Sequence, residues 1–295
     1  MYKPCLRLWR AAHRATEVHI KGACTWRICA EIAAFIALVA PVPTSAEEAA
    51  WLGGDMVQVA THRTDLMPLP GPSSHPLMAY LARPSGPGRH PAVIEMHGCA
   101  GFGFMDVVVA DVLRSFGYVA LALDSLGDLG VCEYTGDGSI AEAFDAYAAL
   151  DWLVQQSYVD PDRVGLLGFS MGGGAVLAAI APGLIENKKS QRFRAAVAYY
   201  PWCRDMDGST TVPTLILIGD RDDWTPASWC QEMVAHRVGN GPSIELVVYP
   251  GATHAFNYPG TPREFFGHHL EYDAKATADA WVQVRRFFAD NLGSH

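Results

Sequence analysis

The chain has few cysteines and none in C-x-x-C spacing, which argues against a zinc cluster. No apolar run reaches the roughly 20 residues that a membrane-spanning helix needs. Internal repeats and Pro- or Ser-rich linkers are also missing, so one large domain is the economical reading of 295 residues, half of them hydrophobic. Basic residues are the minority, 22 against 31 acidic. Six of the 22 (Lys3, Arg7, Arg10, Arg14, Lys21 and Arg27) precede an apolar stretch, residues 28–40, broken only by Glu31. Pro41-Val42-Pro43-Thr44-Ser45-Ala46 follows, with small residues placed for cleavage after Ala46. This is the layout of a signal peptide over residues 1–46, ahead of a domain over 47–295. Export to the periplasm or the outside is therefore expected. Without the leader the chain keeps 16 basic and 29 acidic residues, a net charge of −13. That balance disfavours nucleic acid and anionic membrane as partners.

Three cysteines fall in the leader and four, Cys99, Cys132, Cys203 and Cys230, beyond it. An even number in an exported chain permits two disulfides. The expected pairs are Cys203 with Cys230 and Cys99 with Cys132, each placed in loops at the C-terminal ends of adjacent strands.

The most informative stretch is Gly168-Phe169-Ser170-Met171-Gly172, which joins the apolar run 163–167 to a small-residue helix expected over 173–181. A G-x-S-x-G turn between strand and helix is a nucleophile elbow. Its glycines make room for a cramped turn that holds the serine hydroxyl out of the core at a helix N-terminus. Downstream, the buried-strand pattern of residues 212–218 runs into Gly219-Asp220-Arg221-Asp222-Asp223, and the strand 244–249 runs into Pro250-Gly251-Ala252-Thr253-His254. Serine, then acid, then histidine, each just past a strand, is the chain order of α/β-hydrolases. Position alone leaves Asp220, Asp222 and Asp223 all open as the acid. Upstream, strand 91–96 delivers His97-Gly98-Cys99-Ala100-Gly101, a turn suited to presenting a backbone N–H to an oxyanion.

On HGCAG, GFSMGGG, GDRDDWTP and HAFN, in this order and spacing, the chain resembles the dienelactone hydrolase family of the α/β-hydrolase fold. The resemblance runs from about Pro91 to the C-terminal helix. It implies Ser170 as nucleophile, His254 as general base and Asp222 as the acid that orients it. Founding members instead carry a cysteine nucleophile and a glutamate at the position of Gly98. Losing both together is coherent, because an acid that tunes a thiol has no task beside a serine. The resemblance also implies that the carboxylate-holding arginine four residues after the histidine is replaced here by Tyr258. A strong ionic anchor is then missing on that side, which favours neutral short-chain or aromatic esters, and Arg204 is the one residue that could rescue an anionic substrate.

The expected architecture is an α/β-hydrolase fold, a mostly parallel doubly wound sheet flanked by helices. Strands are expected over 118–124, 164–168, 195–200, 214–219 and 245–249, and an edge hairpin over 55–63 and 77–83. Further helices are expected over 106–116, 140–156, 227–237 and 272–291. The expected reaction is hydrolysis of a carboxylic ester or lactone, a small molecule, through an acyl-enzyme that needs no cofactor or metal. The backbone N–H groups of Cys99 and Met171 are the oxyanion-hole candidates. Trp202 and Trp224, with Trp229, lie on loops near the acid and could line an aromatic pocket or cap the core. His268-His269 reads as a solvated helix or loop pair. Glu95, inside an apolar strand, calls for a structural partner. Two rivals share these features: a serine peptidase of the prolyl oligopeptidase type, and a catalytically silent binding protein on the same fold.

Overall fold

A computed structural model describes residues 53–60, 76–127, 138–183, 185–186, 190–239, 241–260 and 262–293. The expected leader and Cys132 lie outside these residues. The strands are β1 Asp55–Val59, β2 Leu77–Ala82, β3 His90–Met96, β4 Val119–Asp124, β5 Val159–Phe169, β6 Ala195–Tyr199, β7 Thr214–Gly219, β8 Ile244–Tyr249, β9 Arg263–Phe265 and β10 His268–Leu270. The helices are α1 Phe104–Ser115, α2 Gly138–Leu153, α3 Met171–Ala179, α4 Ala227–Ala235 and α5 Ala274–Leu292.

Eight strands form one sheet in the order β1-β2-β4-β3-β5-β6-β7-β8. The edge hairpin β1–β2 is antiparallel, β2 meets β4 antiparallel, and the remaining neighbours are parallel. Strands β3, β6 and β7 are buried along their whole length. Helices cover both faces of a parallel sheet, so its strands read as continuous apolar runs without alternation. Strand order reverses at β3, which has β4 on one side and β5 on the other. At such a switch point the loops leaving the carboxyl ends of the strands diverge and leave a crevice.

Helix α5 buries Ala280, Trp281, Val284, Phe287, Phe288 and Leu292, at the three-to-four-residue spacing of one helix face. Burying each large side chain is worth about 1.5–3 kcal/mol. The Asp273 carboxylate starts this helix by accepting the Ala276 N–H at 2.9 Å, and Gly293 ends it. Trp281 meets Phe116 at the end of α1 edge to face, 6.1 Å between centroids. Among the described residues no helix is long and apolar enough to cross a membrane.

Four expectations change. Helix α3 starts at Met171, directly after Ser170, because the elbow leaves no loop between strand and helix. Strand β5 begins at Val159, since pairing with β3 resumes beyond an irregularity between His90 and Ala92. His268-His269 is not a helix or loop pair: it opens β10, which pairs antiparallel with β9 across a two-residue turn. The Cys203–Cys230 disulfide is present, although Cys230 sits in the first turn of α4 and not in a loop. Cys99 is also disulfide-bonded, and its expected partner, Cys132, lies outside the described residues.

Candidate active site

Loops leaving β3, β5, β7 and β8 converge at the carboxyl end of the parallel strands. Ser170 joins β5 to α3 with φ 53° and ψ −110°. A non-glycine residue held there costs about 1–3 kcal/mol. The strain is held by two backbone hydrogen bonds: the Ser170 N–H donates to the Tyr199 carbonyl at 3.0 Å, and the Gly174 N–H donates to the Ser170 carbonyl at 2.9 Å. A Cβ on Gly168 would stand 2.2 Å from the Gly172 carbonyl oxygen, and one on Gly172 would stand 2.3 Å from that of Met96. Both obstacles are backbone and cannot swing aside, so the two glycines are a packing requirement of the turn. Of the five non-glycine residues with positive φ among the described residues, Ser170, Tyr200, Ala255 and Phe266 all lie in or beside this site.

His254, on the loop after β8, places Nε2 2.9 Å from Ser170 Oγ and Nδ1 2.8 Å from Asp222 Oδ2. With its Nδ1–H donated to the carboxylate, the imidazole presents Nε2 as acceptor to the serine hydroxyl. Asp222 is buried, and its Oδ1 accepts the N–H groups of Trp224 at 2.9 Å and Thr225 at 2.8 Å. Of the three carboxylates on this loop, Asp222 is the one that meets His254. Asp220 accepts the Gly251 N–H and Asp223 that of His269, and both are exposed.

Thr225, Tyr200 and Asn257 belong to this arrangement although none stood among the sequence candidates. The Thr225 hydroxyl lies 3.0 Å from Asp222 Oδ2, 3.2 Å from His254 Nδ1 and 3.0 Å from the Tyr200 carbonyl. An acid followed three residues later by threonine, just before a helix, is the sequence signal that was available for it. Tyr200 and Trp224 flank the His254 ring at 4.6 and 4.9 Å between centroids. Burial pushes the Tyr200 phenol well up, so it keeps its proton and donates to Asn257 Oδ1 at 2.6 Å. The run His254-Ala255-Phe256-Asn257 thus divides its work, with Phe256 fully buried in the core beneath.

The loop after β3 is anchored by His97, whose Nε2 accepts the Ser125 N–H at 3.2 Å and whose Nδ1 lies 2.9 Å from the Gly98 carbonyl. Burial lowers the imidazole pKa and keeps the ring neutral, as an acceptor Nε2 requires. Glu142 stands 3.6 Å from the same Nδ1, but a neutral ring makes no ion pair with it. Cys99 Sγ lies 3.9 Å from Met171 Sδ, so the side chains of these two residues meet. Met171 opens α3, and the first N–H groups of a helix have no acceptor within it. A Cβ on Gly98 would fall 3.3 Å from the Phe169 carbonyl oxygen, a tight contact, and 3.5 Å from Ser170 Cβ, an ordinary one. Glu95 is fully buried, and burial together with the nearby Asp106 carboxyl holds its own carboxyl well above the ordinary range. Asp106 in turn accepts the Gly103 N–H at 2.6 Å, tying the pair to the start of α1.

The other aromatic candidates separate. Trp224 joins the site. Trp202 packs on Trp229 at 4.7 Å and Arg204 stacks over Trp229 at 5.3 Å, and neither is brought to Ser170 or His254. Arg204 lines a different surface groove with Met206, Glu232 and His236. Tyr258 lies under the Arg263 guanidinium, 5.2 Å from its ring centroid. Among the described residues no group of three or more His, Cys, Asp or Glu could hold a metal ion.

Comparison with known proteins agrees with this architecture. A Bradyrhizobium sp. protein named "Probable 2-oxo-3-(5-oxofuran-2-ylidene)propanoate lactonase" is 32% identical over 215 residues, 63% of this chain and 82% of its own. Among solved structures, a dienelactone hydrolase-like promiscuous phosphotriesterase from metagenomic libraries superposes with a TM-score of 0.62 at 21% identity, covering 81% of this chain and 99% of that one. A puromycin hydrolase matches with a TM-score of 0.61 at 14% identity, over 82% of this chain and 40% of its own. At these identities the two structures speak for the fold alone. The model of the dienelactone hydrolase family matches residues 77–292, which takes in all four loops of the site, and the chain belongs to that family of hydrolases.

Proposed function

We propose that the protein is a serine hydrolase acting on a carboxylic ester or lactone through an acyl-enzyme, with Ser170 as nucleophile, His254 as base and Asp222 as orienting acid. The observation that carries this reading is the continuous hydrogen-bonded run from Ser170 Oγ through His254 to Asp222. His254 Nε2 takes the hydroxyl proton as Ser170 Oγ bonds to the substrate carbonyl carbon. The oxyanion meets the N–H groups of Cys99 and Met171, and the partial positive charge at the start of α3 favours it. Collapse breaks the bond to the leaving oxygen, which receives the proton from Nε2. Water then repeats the sequence, releasing the acid and restoring Ser170. No step calls on a metal or cofactor.

The disulfide and the second half-cystine support an oxidising compartment, and with the leader pattern they support export of a domain over 47–295. The lactone in the relative's name keeps lactones beside esters in the substrate class. Tyr258 can donate a hydrogen bond but lacks the charge and bidentate geometry of a guanidinium, so neutral substrates are favoured over carboxylated ones. The test is a panel of matched neutral and carboxylated esters, lactones and aminoacyl-anilides. Neutral esters or lactones should give the highest kcat/KM. Faster turnover of the anilides would support a peptidase. A preference for the anion, lost on Arg204→Ala or Arg263→Ala, would overturn the charge assignment.

A further inference from the structure

The β9–β10 hairpin stands directly over the base. Its strand β10 bridges to His254 through Leu270, and the Asp223 carboxylate accepts the His269 N–H at 3.3 Å, fixing the hairpin to the loop that carries Asp222. On this frame Trp224 stacks on His268 at 4.7 Å and 13°, and its ring also meets Phe265 at 5.9 Å and Phe266 at 6.0 Å. The same indole also meets the His254 imidazole, at 4.9 Å between centroids and 39°.

Phe266 is costly where it stands. It occupies the first position of a two-residue turn with φ 51°, followed by Gly267 at φ 81°, and it is 57% exposed. Turns of this type favour Asn-Gly or Asp-Gly, because a bulky side chain in the left-handed region is strained. Folding gains little from an exposed ring, so neither the turn nor the core accounts for a phenylalanine here. A ligand that uses the ring does.

We propose that Trp224, Phe265, Phe266 and His268 form a leaving-group subsite for an aryl-bearing alcohol. The side of the substrate follows from proton transfer. His254 Nε2 must reach the leaving oxygen, so whatever is attached to that oxygen passes a ring beside the imidazole; of the two rings there Tyr200 is buried, which leaves the partly exposed Trp224. A planar ring placed there gains offset or edge-to-face contacts that an aliphatic ring of equal size does not.

This inference rests on the hydrolase reading above, and one experiment separates the two. Benzyl and cyclohexylmethyl esters of the same acid have leaving groups of similar size and basicity. The parent protein should favour the benzyl ester by about tenfold in kcat/KM. Phe266→Asn creates an Asn-Gly turn, so it should keep or raise Tm while the benzyl preference falls severalfold. Trp224→Leu should abolish the preference. Equal kcat/KM for the two esters, or a preference that survives both substitutions, overturns the aryl subsite and leaves the hydrolase reading intact. Turnover of neither ester, nor of any other substrate in the panel, overturns the hydrolase reading and this inference with it.

Discussion

Asp222 and His254, 32 residues apart in the chain, meet at 2.8 Å with both side chains buried. The contact fixes which imidazole nitrogen carries the proton, and with it which nitrogen can receive one from Ser170. Asp222→Asn keeps the shape and the two backbone hydrogen bonds to Oδ1 but removes the charge that favours this tautomer. It should lower kcat by about 10³- to 10⁴-fold with little loss of folding stability. Steady-state kinetics alongside a urea titration reads both quantities.

Gly172→Ala tests the elbow. Its new Cβ would stand 2.3 Å from the Met96 carbonyl oxygen and 2.6 Å from that of His97, so β3 or the elbow must shift. Destabilisation of about 2 kcal/mol or more is expected, with activity lost even in the folded fraction. A variant with unchanged Tm and unchanged kcat would show that the turn has room for a Cβ.

The Glu95 carboxyl gives a pH signature. Burial first, and the Asp106 carboxyl next, raise its folded pKa well above the ordinary glutamate value of 4.5. The folded protein therefore holds a proton that the unfolded chain releases at lower pH. The corresponding stability is fully present below pH 4.5 and is lost as pH rises toward the folded value. Glu95→Gln, neutral at every pH, should remove this loss, so its stability relative to the parent should rise from pH 5 to pH 8. Urea midpoints at the two values check it; a constant difference would mean that Glu95 is not protonated in the fold.

The Cys203–Cys230 disulfide joins the loop after β6 to α4 across 27 residues of chain. Cys203→Ser with Cys230→Ser should cost about 3.5 kcal/mol of stability, on the chain-entropy account of a loop this size. Thermal unfolding with and without reductant measures it, and the double variant should show no reductant effect from this bridge.

The parallel core strands and the four loops were legible in the sequence because buried strands are continuous apolar runs, and each ended in a residue type its chemistry needs. Asp222 was separated from Asp220 and Asp223 only by family spacing, since three carboxylates on one turn differ in direction and not in composition. The β9–β10 hairpin was illegible for a different reason. Arg263-Glu264-Phe265 and His268-His269-Leu270 are too short and too polar to show alternation, and Phe266-Gly267 departs from the usual turn pairs. Contacts made across the fold, such as Thr225 with His254 or Tyr200 with Asn257, leave no periodic trace in one sequence.

The central claim, that Ser170 is the nucleophile, is tested most directly by intact-mass measurement after treatment with a fluorophosphonate. The account predicts one phosphonyl adduct on the parent protein, and none on Ser170→Ala or on heat-unfolded parent. An adduct that persists on folded Ser170→Ala, or a parent that hydrolyses esters without ever being labelled, would contradict it.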